Sequence, residues 1–351
     1  MQVEDVKANE RSRMSDIVDL SADEINDSEL YSSTPVKKAP SKSTSLRSKW
    51  RRSIFQLKEG EYTYGRSSKR RIESSPKNDR SIRKSIKDST NNLLKYDSST
   101  RKEVAEYVRY GEDSIIVKGE SLSPEQWSDL LTSDTWLSSD HINAYLSLLM
   151  SNHKHIHAFP TYLYAKLSTK YDYASVQRWT KKTCIFNKSI VFVPVNVTEN
   201  HWLLVVIWIK AERREQIEIW DSMGGEDYQR EIGDVLKRYL IDEYARYMED
   251  REQRKLDDYK IETEIEKWPV NVKFDNTQTP HSKQTDGSSC GVLVCLFAKA
   301  LAEGYKETEI INIALQRSSA KTYRNVIAVE LWDDYKRRTV QEHEKYQLQV
   351  E

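Results

Sequence analysis

The chain has 351 residues, with 55 basic and 55 acidic side chains, so its formal net charge is zero and it is no general binder of polyanions. Its three cysteines are too few for a disulfide scaffold and favour a reducing compartment. The first 13 residues are polar, and the longest apolar run, 202–209, has eight residues, so we expect neither a secretory signal nor a membrane span.

Residues 1–110 are rich in Ser, Lys, Arg, Asp and Asn and poor in large apolar side chains. Such a segment cannot bury enough apolar surface to offset the entropy of ordering. We therefore predict a mostly disordered regulatory and targeting tail over 1–110, followed by a folded catalytic domain over 111–345.

Two features of the tail have more than one interpretation. The basic stretch at 66–84 is either a solvated charge run, a nuclear import signal, or a contact with nucleic acid or a membrane surface. Ile17, Val18 and Leu20 lie among acidic residues. They are either an isolated apolar patch or a segment that adds as a strand to the sheet edge of a partner.

The predicted elements of the folded domain begin with a strand at 115–117 and a helix with Ser123 at its cap. Further helices are predicted from Ser139 or Asp140 and over 159–167. Strands are predicted at 190–195, 201–209 and 216–220; the second is apolar enough to be buried on both faces, and Pro194 suggests the end or the edge of the first. A helix at 226–247, a strand at 270–274 and helices after Cys290 and at 320–338 follow, which makes a mixed sheet surrounded by helices, an α+β fold.

Cys290 lies where a polar loop turns abruptly into an apolar run. A thiol at the start of a helix is near the positive end of the helix dipole, which favours the thiolate. Taken alone, a lone cysteine in this position is better explained as a core residue, and a nucleophile needs a histidine and an orienting group elsewhere in the chain. Cys295 falls inside the same helix and is interpreted as core.

His201 is the best candidate partner among the seven histidines, because it begins the most apolar strand after the polar turn 198–200. Asp221 follows the end of the neighbouring strand. If the two strands form a hairpin, these residues lie side by side, and Asp221 can orient the imidazole. The alternating histidines at 153–157 lack the spacing of a zinc site. The remaining histidines are assigned to loops or helix surfaces: His141, His281 and His343.

Six blocks of sequence closely resemble, in order, the Ulp/SENP family of SUMO-specific cysteine proteases, and together they extend from about 112 to 340. The blocks are 136–143, 157–159, 178–182, 201–202, 220–225 and 284–291. The resemblance implies a papain-like α+β fold and either the removal of SUMO from its conjugates or the maturation of its precursor. It implies no metal or other cofactor.

The resemblance also assigns roles to residues. It implies Cys290 as the nucleophile, His201 as the base and Asp221 as its orienter. Gln284 is implied as an oxyanion-hole residue. Substrate contacts are implied for three further residues. Trp136 and Trp202 would cover a tunnel for the diglycine tail; the alternative interpretation of either indole is packing in the core. Arg178 would face an acidic patch on SUMO.

This chain departs from the family pattern at two places. Ser138 and Ser139 stand where the family usually has Asn-Asp, with Asp140 one position later, and Ser289 stands where an Asp commonly precedes the nucleophile. Two alternatives remain: a protease for a NEDD8-like or other ubiquitin-like modifier, or a catalytically weak SUMO-binding module.

In view of the resemblance to SUMO proteases, the apolar segment at 17–20 is similar to a SUMO-interacting motif. The basic stretch fits nuclear import better than nucleic-acid binding. The expected partners are therefore SUMO, SUMO-conjugated proteins and import receptors, with a nuclear location and no membrane partner.

Overall fold

A computed structural model describes residues 88, 90, 92–209, 215–224, 228–249, 264–274, 284–316 and 318–350. The centre of the fold is a five-stranded mixed sheet. Its strands are β3 (Ile156–Ala158), β4 (Ile190–Val197), β5 (His201–Trp208), β6 (Gln216–Trp220) and β7 (Val270–Lys273). They lie in the order β3-β4-β5-β6-β7; the β3–β4 and β6–β7 pairs are parallel and the two central pairs are antiparallel. The predicted mixed sheet and α+β class are confirmed.

Strand β5 is buried on both faces, as its unbroken apolar sequence predicts. Because side chains alternate along a strand, Leu204 and Val206 belong to one core, whereas Val205 and Ile207 belong to the other. The first core lies between the sheet and most of the helices. The second lies between the sheet and a long helix after β6. The centre of the sheet is thus a rigid support for residues at its ends.

Helices cover the sheet, and a small hairpin precedes it. The helices are α1 (Ser98–Tyr110), α2 (Pro124–Leu131), α3 (Ser139–Asn152), α4 (Tyr162–Ser168), α5 (Gln229–Glu249), α6 (Cys290–Ala302), α7 (Glu307–Ala314) and α8 (Ser319–Val350). The hairpin pairs β1 (Ile115–Val117) with β2 (Glu120–Leu122). No helix in these described ranges is both long enough and apolar enough to span a bilayer.

The start of the folded part differs from the prediction. Residues 98–110 were expected in the disordered tail, but they form α1, whose first turn is capped by the Asp97 carboxylate accepting from the Ser99 N–H at 2.9 Å. Val104 of this helix is fully buried, and the Tyr107 ring meets the Trp127 ring edge to face at 6.2 Å. The helix is therefore stabilised by tertiary packing against α2, which a search for periodicity within 98–110 alone does not reveal.

Packing shows that one smaller prediction is wrong and decides between the two alternatives given for another. His141 was predicted on a helix surface, but it is fully buried at the start of α3. There its Nδ1 accepts from the Ser138 N–H at 2.9 Å and its Nε2 lies 2.8 Å from the Gln126 carbonyl oxygen. Pro194 does not end β4; it lies beyond the short pairing with β3 and is paired only with β5, so β4 is locally an edge there.

Candidate active site

The β5–β6 hairpin brings His201 and Asp221 together, as the sequence predicted. The strands pair antiparallel with Leu204 opposite Trp220, so the start of β5 lies beside the residue that follows β6. The imidazole Nε2 lies 2.7 Å from the Asp221 Oδ1, and both side chains are buried. A buried carboxylate at this distance fixes both the orientation and the tautomer of the ring.

Two further groups hold the Asp221 carboxylate. The Met223 N–H donates to Oδ1 at 2.9 Å, and the Tyr228 hydroxyl donates to Oδ2. Sequence reasoning missed Tyr228, because it lies seven residues beyond Asp221 and outside the strand pairing that the pattern predicts. Together these bonds leave the carboxylate little freedom to move away from the imidazole.

Cys290 is the first residue of α6, which packs against β5. The preceding residue, Ser289, makes no side-chain capping bond to this helix, so its hydroxyl does not use the first-turn amides. Gly291 allows the close approach: a Cβ there would lie 3.1 Å from the Leu137 Cβ and 3.3 Å from the Trp202 Cδ1. A side chain at this position would push the thiol away from β5.

The imidazole and the thiol interact with each other. His201 Nδ1 is buried and has no hydrogen-bond partner in the described part of the chain, so it is the ring nitrogen available to the thiol. Burial alone would raise the pKa of the Cys290 thiol, but the influence of the nearby His201 imidazole and of the Trp202 backbone amide outweighs this, so its pKa lies below the ordinary value. The pair therefore favours the reactive thiolate.

The two partners of the thiol have shifted pKa values as well. Burial disfavours the charged imidazole, but its bonds to Asp221 and Cys290 are stronger influences together and raise the pKa of His201 to about 9. Burial likewise disfavours the carboxylate, but bonds from His201 and Tyr228 lower the pKa of Asp221 to about 2. At neutral pH Asp221 is therefore a carboxylate and His201 an imidazolium, and the lowered pKa of Cys290 favours its thiolate.

Gln284 lies in the loop that leads to Cys290 and is tied to the end of β6. Its backbone N–H donates to the Ser222 carbonyl oxygen at 2.8 Å, and its Oε1 accepts from the Ser222 hydroxyl at 2.8 Å. Its Nε2 donates to the Asp286 carbonyl oxygen at 2.6 Å. The same nitrogen also lies 3.4 Å from the Asp286 Oδ1, and this longer bond is the one that a substrate oxygen could replace, since an amide nitrogen carries two protons. Ser222 was not predicted from the sequence.

A cleft of about 360 Å³ opens at the thiol. It is lined by residues from the start of α3, the β4–β5 turn and α6: Trp136, Leu137, Ser138, Ser139, Asn196, Glu199, Asn200, Trp202 and Cys290. Trp202 is buried and donates its Nε1–H to the Leu137 carbonyl oxygen at 3.1 Å, whereas Trp136 is 55% exposed. The core interpretation of Trp136 is therefore wrong, because an indole that exposed cannot be a core residue.

The turn between β4 and β5 is strained on the side of this cleft. Thr198 and Glu199 have φ angles of 54° and 61°, in the left-handed region that few residues other than glycine adopt. Such backbone costs on the order of 1 kcal/mol per residue and persists where the surrounding structure holds it. The turn delivers Glu199 to the cleft and leads directly into His201.

The remaining predicted positions lie further out. Arg178 is exposed on a 3-10 helix, Gln177–Thr180, and is not among the residues that line the Cys290 cleft. Two of the departures from the family pattern have partners at the start of α3. The Ser138 hydroxyl lies 2.9 Å from the His141 Nδ1, and Asp140 accepts from the Gln126 Nε2 at 2.8 Å. The Ser289 N–H donates to the Asp286 Oδ1 at 2.8 Å, so Asp286 shapes the loop.

Three expectations involve other parts of the chain. The segment with Ile17, Val18 and Leu20 and the basic stretch at 66–84 lie outside the described residues. Within the described ranges, no three His, Cys, Asp or Glu side chains come together as a potential metal site. Cys295 is fully buried, and burial raises the pKa of its thiol, in keeping with a core residue.

Comparison with known proteins gives consistent matches. The model of the Ulp1 protease family, C-terminal catalytic domain, matches residues 135–338. Sentrin-specific protease 2 of Homo sapiens is 29% identical over 218 residues, covering 60% of this chain and 33% of that protein. A sentrin-specific protease of Caenorhabditis elegans is 32% identical over 170 residues, covering 47% and 21%. The chain thus aligns with only about a third of the length of these curated relatives or less.

Solved structures share the fold. The C-terminal Ulp1 protease domain in complex with Smt3, the yeast ortholog of SUMO, superposes with a TM-score of 0.55 at 20% identity, covering 69% of this chain and 98% of that one. Ulp1 with its catalytic cysteine oxidized to a sulfinic acid gives 0.54, with coverage of 69% and 97%. Since the family model covers well over half of the 351 residues, the chain belongs to the Ulp1 protease family.

Proposed function

We propose that this chain is a cysteine protease that cleaves after the C-terminal Gly-Gly of SUMO. It releases SUMO from lysine isopeptide conjugates and matures the SUMO precursor. The observation that carries the proposal is the buried His201–Asp221 pair beside Cys290, at the end of a cleft lined by two indoles. Membership of the Ulp1 protease family, and relatives named as sentrin-specific proteases, support the choice of substrate.

The reaction begins when SUMO docks and its tail enters the cleft between Trp136 and Trp202. Only glycine fits where two indoles leave no room for a side chain, so the cleft selects the tail by exclusion. The Cys290 thiolate attacks the last glycine carbonyl carbon, a C–S bond forms, and the carbonyl electron pair moves to oxygen. His201 is already protonated, as its raised pKa requires.

Two donors then stabilise the oxyanion. They are the Gln284 Nε2 and the Cys290 backbone N–H at the start of α6. Preorganised donors of this kind lower the barrier by on the order of 3 kcal/mol each. His201 gives its proton to the leaving lysine nitrogen as the C–N bond breaks, which leaves a thioester. Water activated by the now neutral His201 hydrolyses the thioester and regenerates the thiolate.

Outside the cleft, the exposed Arg178 pairs with an acidic patch on the modifier.

The basic stretch at 66–84 binds import receptors and directs the chain to the nucleus. The segment with Ile17, Val18 and Leu20 binds SUMO and retains poly-SUMO substrates by raising their effective concentration. The last two proposals rest on sequence alone. A fluorescent fusion whose 66–84 lysines and arginines are replaced should leave the nucleus, and deleting residues 1–30 should weaken poly-SUMO binding; unchanged behaviour contradicts either one.

A Cys290→Ser variant tests the enzymatic proposal. It should keep SUMO affinity and lose cleavage of a SUMO conjugate, because serine is not ionised at neutral pH. Cys184→Ser is the matched control: this cysteine is partly exposed and does not line the cleft, so it should cleave at the wild-type rate. Substantial cleavage by Cys290→Ser would refute the assignment of the nucleophile.

A further inference from the structure

The buried guanidinium of Arg324 on α8 connects the two sides of the cleft. Arg324 is 1% exposed, and within the part of the chain that the structure describes it forms no salt bridge. Its Nε has no hydrogen-bond partner there either. Burial lowers the pKa of this guanidinium, against the opposing effect of nearby acidic groups. Burying an incompletely paired cation costs free energy. If the only role of this position were packing, an apolar side chain would stabilise the fold more.

Arg324 makes four hydrogen bonds, and three of them go to Thr135 and Ser288, which are close in sequence to active-site residues. Nη1 donates to the Asp129 carbonyl oxygen at 2.9 Å and to the Thr135 hydroxyl at 3.3 Å. Nη2 donates to the Thr135 carbonyl oxygen and, at 3.2 Å, to that of Ser288. Thr135 immediately precedes Trp136, and Ser288 lies two residues before Cys290. One side chain thus ties the indole side of the cleft to the nucleophile loop.

The indole side needs such a tie because Trp136 is itself more than half exposed and gains little from its own burial. Its neighbour Leu137 is held from the other side by the Trp202 Nε1–H. A weaker link, from the Ser288 hydroxyl to the Ser133 carbonyl oxygen at 3.4 Å, joins the same two loops beside Arg324. The short segment that carries Trp136 is therefore fixed at both ends.

We propose that Arg324 is a positioning residue for this active site: its guanidinium holds the Trp136 segment and the loop before Cys290 in register. It touches neither substrate nor thiol. By holding the Ser288 carbonyl oxygen it also keeps Cys290 at the start of α6, where the thiolate is favoured. A role in stability alone, as the cap that satisfies the C-terminal carbonyls of α2, is the competing explanation.

The test compares Arg324→Gln and Arg324→Lys with Arg337→Gln. Arg337 is an exposed residue of the same helix and serves as the control. In cleavage of a SUMO conjugate, which rests on the proposed function, we expect Arg324→Gln to reduce kcat/KM by on the order of ten-fold or more, the value of a charge-assisted hydrogen bond. Arg324→Lys, which keeps the charge but not the fork of donors, should lie between it and the wild type. Arg337→Gln should equal the wild type.

A second readout needs no SUMO. Iodoacetamide alkylation of the Cys290-containing peptide, followed by mass spectrometry against pH, should shift to higher pH in Arg324→Gln and not in Arg337→Gln. If wild-type protein cleaves no SUMO but this shift occurs, the proposed function fails and the role of Arg324 stands. If SUMO is cleaved but alkylation and kcat/KM of Arg324→Gln equal those of the wild type, the role of Arg324 is refuted.

A double-mutant cycle separates positioning from stability. If Arg324 acts through the Trp136 segment, Arg324→Gln should raise KM much less in a Trp136→Ala background than in the wild type. If the fold-changes in KM caused by Arg324→Gln and by Trp136→Ala simply multiply in the double variant, the proposal is wrong. So would a failure of both Arg324 variants to fold at the assay temperature while Arg337→Gln folds normally, because Arg324 would then be a stability residue only.

Discussion

The charge state of His201 controls the reaction at alkaline pH. The bond to Asp221 is the main interaction that raises the pKa of His201 and so keeps the imidazole protonated. Imidazolium must be present to pair with the thiolate and to protonate the leaving amine. The pKa of His201 is raised from 6.5 to about 9 by its bonds to Asp221 and Cys290, in spite of burial. The alkaline limb of kcat/KM should therefore fall near pH 9 in the wild type.

Asp221→Asn removes the carboxylate charge and keeps an oxygen that can accept from His201 Nε2. Loss of the whole shift would lower the pKa of His201 by about 2.5, a change of about 3 kcal/mol in the free energy of protonation. At pH 8 an imidazole with a pKa of about 9 is about 90% protonated, whereas one with a pKa of about 6.5 is about 3% protonated. Protonation alone then accounts for up to about a 30-fold loss of activity at pH 8. In Asp221→Asn the Cys290 thiolate still stabilises the imidazolium of His201, whereas burial disfavours it. The alkaline limb of the kcat/KM profile should therefore lie between about pH 6.5 and about pH 9.

The assay is kcat/KM of a fluorogenic SUMO C-terminal substrate, measured from pH 5.5 to 10. Asp172→Asn is the control, because Asp172 is an exposed carboxylate whose described contacts are within its own turn. Its profile should match that of the wild type. An Asp221→Asn profile whose alkaline limb stays near pH 9 would refute the role assigned to this carboxylate.

Three further predictions follow from the same geometry. Gln284→Ala should lower kcat by roughly 100-fold or more, as expected for an oxyanion donor, while the pH dependence of Cys290 alkylation stays unchanged; an equal change in both would contradict the role. Trp136→Ala should raise KM by roughly ten-fold or more and leave the free energy of unfolding within about 0.5 kcal/mol, because the indole is mostly exposed; wild-type KM would contradict it. The raised pKa of His201 also links stability to pH: its contribution is complete below about 6.5 and is lost as pH rises through about 9, so wild-type melting temperature should fall between pH 7 and pH 10 by more than that of Asp221→Asn. Equal falls in both proteins would contradict that linkage.

Local patterns predicted the elements and the pairing that forms the site. The apolar run of β5 and the alternation of β6 were sufficient to place His201 beside Asp221 through a hairpin. The Ser123 and Pro124 start of α2 was also readable, because its capping box is made within four residues. These features depend on neighbours in sequence, for which spacing is informative.

Contacts between distant segments were not readable in the same way. Ser222 contacts Gln284 across 62 residues, and the Tyr228 contact with Asp221, although only seven residues apart, belongs to no strand pairing or helical spacing. Arg324 and His141 did leave a signal: each lies at helical spacing from apolar residues, so each falls on the buried side of its helix. A charged or polar side chain on an apolar face points to a specific buried partner, although the sequence does not identify that partner.

The most direct test of the central claim is covalent capture by electrophile-tipped modifier probes. SUMO, NEDD8 and ubiquitin probes with the same reactive C-terminus are incubated with wild-type protein and with Cys290→Ser. We predict that the wild type is captured by the SUMO probe only, with the adduct on Cys290, and that Cys290→Ser is not captured. Capture by a NEDD8 or ubiquitin probe instead would contradict the choice of modifier, and no capture by any probe would favour a SUMO-binding module without catalytic activity.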